Sequence, residues 1–292
     1  MVVYGIIVSF VFLIIGHHNH EKEERKMKFL KQISLVLSSL ILLSGINLEA
    51  TAKEEAYSWY CKRVSDNKQP PLPSEFSFIN DYDGIWLNTK REVEDDRKVA
   101  YLTFDAGYEN GNVSKILDVL KEKNAPGAFF ILINLVKTNP DLVKRMTDEG
   151  HFVCNHTAHH KDMSKITDQS EFEKELNELN DAYRELTGEE IRRFYRPPEG
   201  RFSRLNLEQA SSLGYNTVFW SFAYADWDNA NQPSPEYAKK KILDNIHNGA
   251  VLLLHPTSSV NAQILGDVID EMRSRGYEFG TLDELYNEIS KN

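Results

Sequence analysis

Five polar clusters interrupt the apolar text of this chain, each at the end of a hydrophobic run. In order they are Thr103–Glu109 (TFDAGYE), Asn155–His160 (NHTAHH), Arg196–Gly200 (RPPEG), Ala225–Trp227 (ADW) and Leu252–Pro256 (LLLHP). A carboxylate such as Asp105 can take a proton from water. His156 and His160 stand four apart, so a helical turn after the strand would aim both imidazoles the same way, a donor pair suited to Zn²⁺ or a similar divalent ion. Arg196 offers a planar cation that holds a carboxylate in place. Asp226 can fix a histidine's tautomer, and His255 can act as the acid that protonates a leaving amine. Trp227 supplies an apolar wall for a sugar or methyl group. Together these are the parts of a metal-assisted hydrolase. One place is conspicuous: where a second carboxylate would follow Asp105, the chain has Ala106.

Taken singly, each part has a plainer explanation. Two surface histidines give the same spacing, Asp105 before Gly107 suits a turn, Arg196 suits a structural ion pair, and Trp227 and His255 suit a core. Asp105 and Asp226 alone would suggest a glycosidase, which needs two opposed carboxylates, but that leaves the histidines without a role. Past residue 52 the chain holds six histidines, four of them within His151–His160. His151 opens a strand and reads as structural; His159 reads as solvent-facing or as support for its neighbours.

The elements that must position these residues alternate regularly from Lys98 onward. Apolar, β-rich runs occur at Val99–Phe104, Ala128–Ile133, Phe152–Asn155, Phe194–Arg196, Thr217–Trp220, Val251–Leu254 and Tyr277–Phe279. Helical patterns lie between them, marked by Asn139-Pro140, a Ser170/Glu173 capping box, Ser234-Pro235 and a Thr281/Glu284 box. Alternation of this kind predicts a parallel sheet with helices outside, closed or nearly closed into a barrel. The chemistry of such barrels belongs at the C-terminal ends of the strands, where all five clusters fall.

With a net charge of −10, the chain lacks a nucleic-acid footprint. Residues 1–52 read as a segment outside the fold. Met27, Lys28, Lys31, the apolar stretch Ile33–Ile46 and Ala50-Thr51-Ala52 follow the layout of a secretory leader starting at Met27 and cleaved after Ala52. An uncleaved membrane anchor is the other reading. Either predicts an exported protein that meets a membrane only through this segment. Residues 53–97 read as an arm packed on the main domain, residues 98–292. Cys61 and Cys154 permit at most one disulfide, and both read as ordinary thiols.

With the five clusters in order, the chain resembles the polysaccharide deacetylases, carbohydrate esterase family 4, over roughly 98–289. The resemblance implies a distorted (β/α)₇ barrel that hydrolyses acetyl groups from aminosugar polymers. It makes Asp105 the base, His156 and His160 the metal ligands, and Arg196 the residue that orients Asp105. It also gives the Glu199 backbone N–H to the oxyanion, Leu253 and Trp227 to the acetyl pocket, and the acid to His255 tuned by Asp226. Two departures stand out: Ala106 replaces a metal-binding aspartate, and Ala223 stands where many members carry an acidic residue. Glu109 is a candidate to reach the position that Ala106 leaves open. The runs TFDAGYENG, NHTAHHKD and YRPPEGRFS look closest to the delta-lactam-biosynthetic de-N-acetylases. That likeness implies N-acetylmuramic acid of peptidoglycan as substrate, on the route to the muramic delta-lactam of spore cortex. It places the protein in the cell wall or the forespore intermembrane space. Deacetylation of N-acetylglucosamine polymers or of O-acetyl xylan, and silent carbohydrate binding, are the rival readings.

Overall fold

The computed structural model describes residues 55–91 and 97–290. The expected leader, with Met27 and the Ala50-Thr51-Ala52 site, lies outside the described residues. The strands are β1 (Tyr57–Ser58), β2 (Lys98–Ala106), β3 (Gly127–Ile131), β4 (Phe152–Asn155), β5 (Arg192–Tyr195), β6 (Arg201–Phe202), β7 (Asn216–Thr217), β8 (Ala250–Leu254) and β9 (Tyr277–Phe279). Seven of them form one parallel sheet in the order β7-β5-β4-β3-β2-β8, with β9 also on β2. β1 and β6 make a separate antiparallel ribbon.

Side-chain alternation sorts this sheet into two apolar layers. On β2, Ala100, Leu102, Phe104 and Ala106 join the layer beneath the helices. Val99 and Tyr101 join an inner cluster with Phe130, Cys154, Phe194, Val218 and Val251. The helices outside are α1 (Val113–Glu122), α2 (Ile133–Thr138), α3 (Pro140–Asp148), α4 (Gln169–Thr187), α5 (Arg204–Ser212), α6 (Pro235–Asn245) and α7 (Ser259–Ser274). The last helix, α8 (Leu282–Ser290), adds Leu282 and Leu285 to the inner cluster. Both cysteines are free thiols, Cys154 being buried.

The strand expected over Thr217–Trp220 is cut short at Thr217, because the chain there exchanges partners. Val218 N–H still bonds to Tyr195 O at 2.7 Å, while Phe219 N–H turns to Ile85 O at 2.7 Å. Further on, Ser221 N–H bonds to Val251 O at 3.0 Å and Leu253 N–H to Phe222 O at 2.8 Å. The gap between β7 and β8 is thus bridged on one level by Ile85–Asn88 and on the next by Ser221–Phe222. Residues 85–88 are part of the barrel wall.

Helix α4 starts differently from expectation. Asp168, not Ser170, is its cap, accepting from Glu171 N–H at 3.0 Å. A carboxylate at this end satisfies an orphan N–H and meets the positive end of the helix dipole. The Thr281/Glu284 box forms in both directions, at 2.7 and 3.2 Å.

Gly249 has φ +77, and a Cβ there would lie 2.5 Å from Asn88 O, across the junction of arm and β8. Gly249→Ala is expected to destabilise the fold by at least about 1–3 kcal/mol, from backbone strain plus the clash. Urea denaturation monitored by tryptophan fluorescence measures it.

Candidate active site

The ends of β2, β4, β5 and β8 and the loops after them surround a cleft of about 850 Å³. That volume lies in the upper range of small-ligand sites. Asp105, His156, His160, Glu199, Leu253 and His255 all line it.

Asp105 is held by Arg196, whose side chain is fully buried. One guanidinium nitrogen donates to Asp105 Oδ1 at 2.8 Å and the other to Thr103 Oγ1 at 2.8 Å. Nε donates to Val218 O at 3.1 Å, and the group lies 4.1 Å from the centroid of the Phe130 ring. Burial pushes the Asp105 carboxyl up, but His156, Arg196 and His255 facing it bring it below its ordinary value. Arg196, always charged, is the partner that acts at neutral pH.

His156 is buried, and its Nδ1 lies 2.8 Å from Arg196 O, which assigns the ring proton to Nδ1. Its Nε2 is then a lone pair, 3.5 Å from Asp105 Oδ2. Burial lowers the His156 pKa to about 4, so that lone pair is available at neutral pH. The His156 and His160 rings meet edge-on, with centroids 5.1 Å apart and planes at 74°. They do not meet on a helix, as the four-residue spacing suggested. The connecting segment is a loop in which Thr157 (φ +72) and His160 (φ +56) are left-handed. Thr157 N–H bonds to Asn155 Oδ1, His160 N–H to Thr157 Oγ1, and Ala158 N–H to Glu175 O on α4. His159 points away and bonds to the buried Glu175, supporting the loop.

His156 and His160 are the residues that could hold a divalent ion. A third protein ligand is not gathered: among the described residues no group of three or more His, Cys, Asp or Glu side chains converges on one point. Ala106 is fully buried in the layer beneath the helices. Glu109 does not fill the place, since its carboxylate turns back to accept from Gly111 N–H.

Opposite Asp105, His255 Nδ1 sits 2.7 Å from Asp226 Oδ1. Asp226 Oδ2 also accepts from His255 N–H at 2.8 Å and from Asn261 Nδ2 at 2.6 Å. Burial would lower the His255 pKa, but the hydrogen bond and charge of Asp226 outweigh it and leave it raised. The other ring nitrogen, Nε2, is thereby left for the cleft. Glu199 has φ +56, and the hydrogen bonds of its turn, Gly200 to Pro197 and Arg201 to Pro198, leave Glu199 N–H out. Trp227 is 63% exposed on the cleft wall, which excludes a core role, whereas Leu253 is buried.

The arrangement can be set beside known proteins. Peptidoglycan-N-acetylmuramic acid deacetylase PdaA of Bacillus subtilis (strain 168) is 40% identical over 260 residues, spanning 88% of this chain and 96% of that protein. The chain belongs to the polysaccharide deacetylase family. The family's sequence profile, Polysaccharide deacetylase, matches residues 92–218. The solved structure of Bacillus subtilis PdaA, a family 4 carbohydrate esterase, superposes with a TM-score of 0.76 at 38% identity, covering 81% of this chain and 99% of that one. A family 4 carbohydrate esterase from Bacillus anthracis gives a TM-score of 0.65 at 35% identity, with coverage of 80% and 97%. Like these relatives, the chain is a carbohydrate esterase of the deacetylase type.

Three contributors to the site lie outside the motifs, and a fourth, Tyr108, lies within the first of them without a role assigned from sequence. Asn261 braces Asp226, and Tyr224 O–H in turn donates to Asn261 Oδ1. Tyr108 accepts from Asn229 at 2.7 Å across the cleft mouth, and Arg63 reaches the wall from the arm. Only Tyr108 and Tyr224, which sit within or next to motif runs, left any trace in the sequence.

Arg196→Met would leave Asp105 without its ionic partner, and an expected loss of about 3–5 kcal/mol of stability follows; chemical denaturation checks it. The kcat/KM of the free enzyme should be bell-shaped in pH. Its rising limb follows deprotonation of Asp105, below the usual carboxylate range. Its falling limb follows loss of the His255 proton, above the ordinary value of 6.5. Asp226→Asn removes what raises His255, so the falling limb should move to lower pH, as a pH–rate series will read.

Proposed function

We propose that the protein removes the N-acetyl group from N-acetylmuramic acid in peptidoglycan, on the route to the muramic delta-lactam of spore cortex. The observation that carries the reaction is the opposed pair: Asp105 on Arg196 and His255 on Asp226, at 2.8 and 2.7 Å, across one cleft. The muramic sugar is inferred from the relative that is an N-acetylmuramic acid deacetylase, of which this chain spans nearly the whole length.

In this mechanism Asp105, ionised and aimed by Arg196, takes the proton of the attacking water. The Glu199 N–H donates to the oxygen that becomes negative as the carbonyl carbon turns tetrahedral. His255 gives its Nε2 proton to the departing amine, while Asp226 retains the proton on Nδ1. Leu253 and Trp227 supply the apolar surround for the acetyl methyl and the sugar. A divalent ion held by His156 and His160 would polarise the acetamide carbonyl and lower the pKa of water there. With two protein ligands in place of three, its affinity is expected to be modest. The leader-like segment supports export to the cell wall or the forespore intermembrane space, either free after cleavage or held by the uncleaved segment.

Acetate release from purified cortex-type glycan strands tests this reading. Wild type should release acetate from muramic residues, and Asp105→Asn should lower kcat by at least about 100-fold, the lower end of what a lost general base costs. Acetate coming from N-acetylglucosamine oligomers and not from muramic strands would replace the muramic assignment. Chelation should depress the rate, with Zn²⁺ or another divalent ion restoring it; turnover indifferent to chelator would remove the ion from the mechanism.

A further inference from the structure

Arg63 belongs to none of the motifs, yet its side chain lines the same cleft as Asp105 and His255. Among the described residues it is the one Arg or Lys on that lining. It is exposed, and one guanidinium nitrogen donates to the main-chain oxygen of Ala223 at 3.1 Å. The guanidinium is thus tethered by a main-chain carbonyl and not neutralised by a carboxylate. The two acidic side chains on the lining pair elsewhere, Asp105 with Arg196 at 2.8 Å and Glu199 with Arg201 at 3.2 Å. Arg63 therefore presents unspent N–H donors, in a fork that matches a carboxylate, inside a cleft of a strongly acidic protein.

The geometry points to Arg63 as the residue that binds a carboxylate on the substrate itself: the free lactyl carboxylate on O3 of the muramic residue being deacetylated. This assignment rests on the muramic reading above and deepens it. On that sugar, O3 is the immediate neighbour of the C2 acetamide. A side chain that reads the lactyl group must therefore share the cleft with the acid and the base, as Arg63 does. N-acetylglucosamine has no such carboxylate, and a lactyl group carrying a stem peptide has lost its charge to an amide. Arg63 thereby distinguishes the muramic acid from both, and the tether to Ala223 O fixes the approach of the cation in advance.

The experiment compares three glycan substrates with the intact protein, by acetate release: strands with free lactyl carboxylates, the same strands with those carboxylates converted to methylamides, and strands retaining their stem peptides. The readout is the ratio of kcat/KM between the acid and the amide. Wild type should favour the acid by roughly 10–100-fold, the span of one charge-assisted bidentate contact. Arg63→Gln should bring the ratio close to one, chiefly through KM, and Arg63→Lys should restore part of it. Ala223→Asp, which leaves Arg63 in place but supplies it with a carboxylate, should lower the ratio in the same direction. Thermal melts of the variants confirm that they are folded. A ratio that Arg63→Gln leaves at the wild-type value overturns the assignment. So does an Arg63→Gln defect confined to the peptide-bearing strands, which would make a stem carboxylate the ligand. If wild type attacks N-acetylglucosamine oligomers and none of the three muramic substrates, the muramic reading has failed and this assignment falls with it. That result shows in wild type before any variant is made.

Discussion

A guanidinium with no exposure to solvent stands at the centre of this barrel, and both halves of its chemistry hang on it. Arg196 is tolerated there because its donors are spent on Thr103, Asp105, Val218 and Phe219 and its face lies over Phe130. Losing any one of these would leave part of a buried cation unsatisfied, at a cost that a fold of ordinary stability feels strongly. The same contacts tie β2 to the segment where the chain leaves β7, the place at which the barrel must be closed. The main chain of the residue has a second role, since its carbonyl holds His156 Nδ1. A single residue thus aims Asp105 with its side chain and sets a histidine tautomer with its backbone.

His255, the proposed acid, is held with comparable economy on the other wall. Asp226 is fully buried and accepts from two groups of His255 and from Asn261. Tyr224 bonds to Asn261 in turn. Aspartate, imidazole and the strand end are therefore one unit, and His255 is not free to swing. Asp105 and His255, the proposed base and acid, are each oriented by a buried partner, with the cleft between them. This is preorganisation in a physical sense: little rearrangement is left for the moment of reaction.

Much of this was legible in the sequence, for a physical reason. Strand interiors must be apolar, so a polar residue ending such a run marks a strand end, and Asp105, Asn155, Arg196 and His255 all declared themselves that way. The seven parallel strands were legible for the same reason. What the sequence could not carry was the result of long-range pairing. Thr217–Trp220 has the composition of a full strand, yet Ile85, more than a hundred residues earlier, takes over its hydrogen bonds. His156 and His160 have helical spacing, but two left-handed residues bring the rings together. Glu175, buried on α4, ties down that loop and left no sign of it in the sequence. Asn261 and Arg63 are ordinary residues in a helix and an arm until the fold delivers them to Asp226 and to the cleft.

The strap made by Ile85–Asn88 has a consequence for how the chain reaches its native state. Its main-chain hydrogen-bond partners include Thr217, Phe219 and Gly249, so this segment is secured in large part by residues more than a hundred positions later in the chain. Contacts of such sequence separation raise the contact order and carry a loop-closure entropy that must be met before they return any stability. Until the strap is in place, the barrel has an open seam beside Val218 and Val251. Folding should therefore finish, not begin, at the arm, with the slow step being the sealing of that seam.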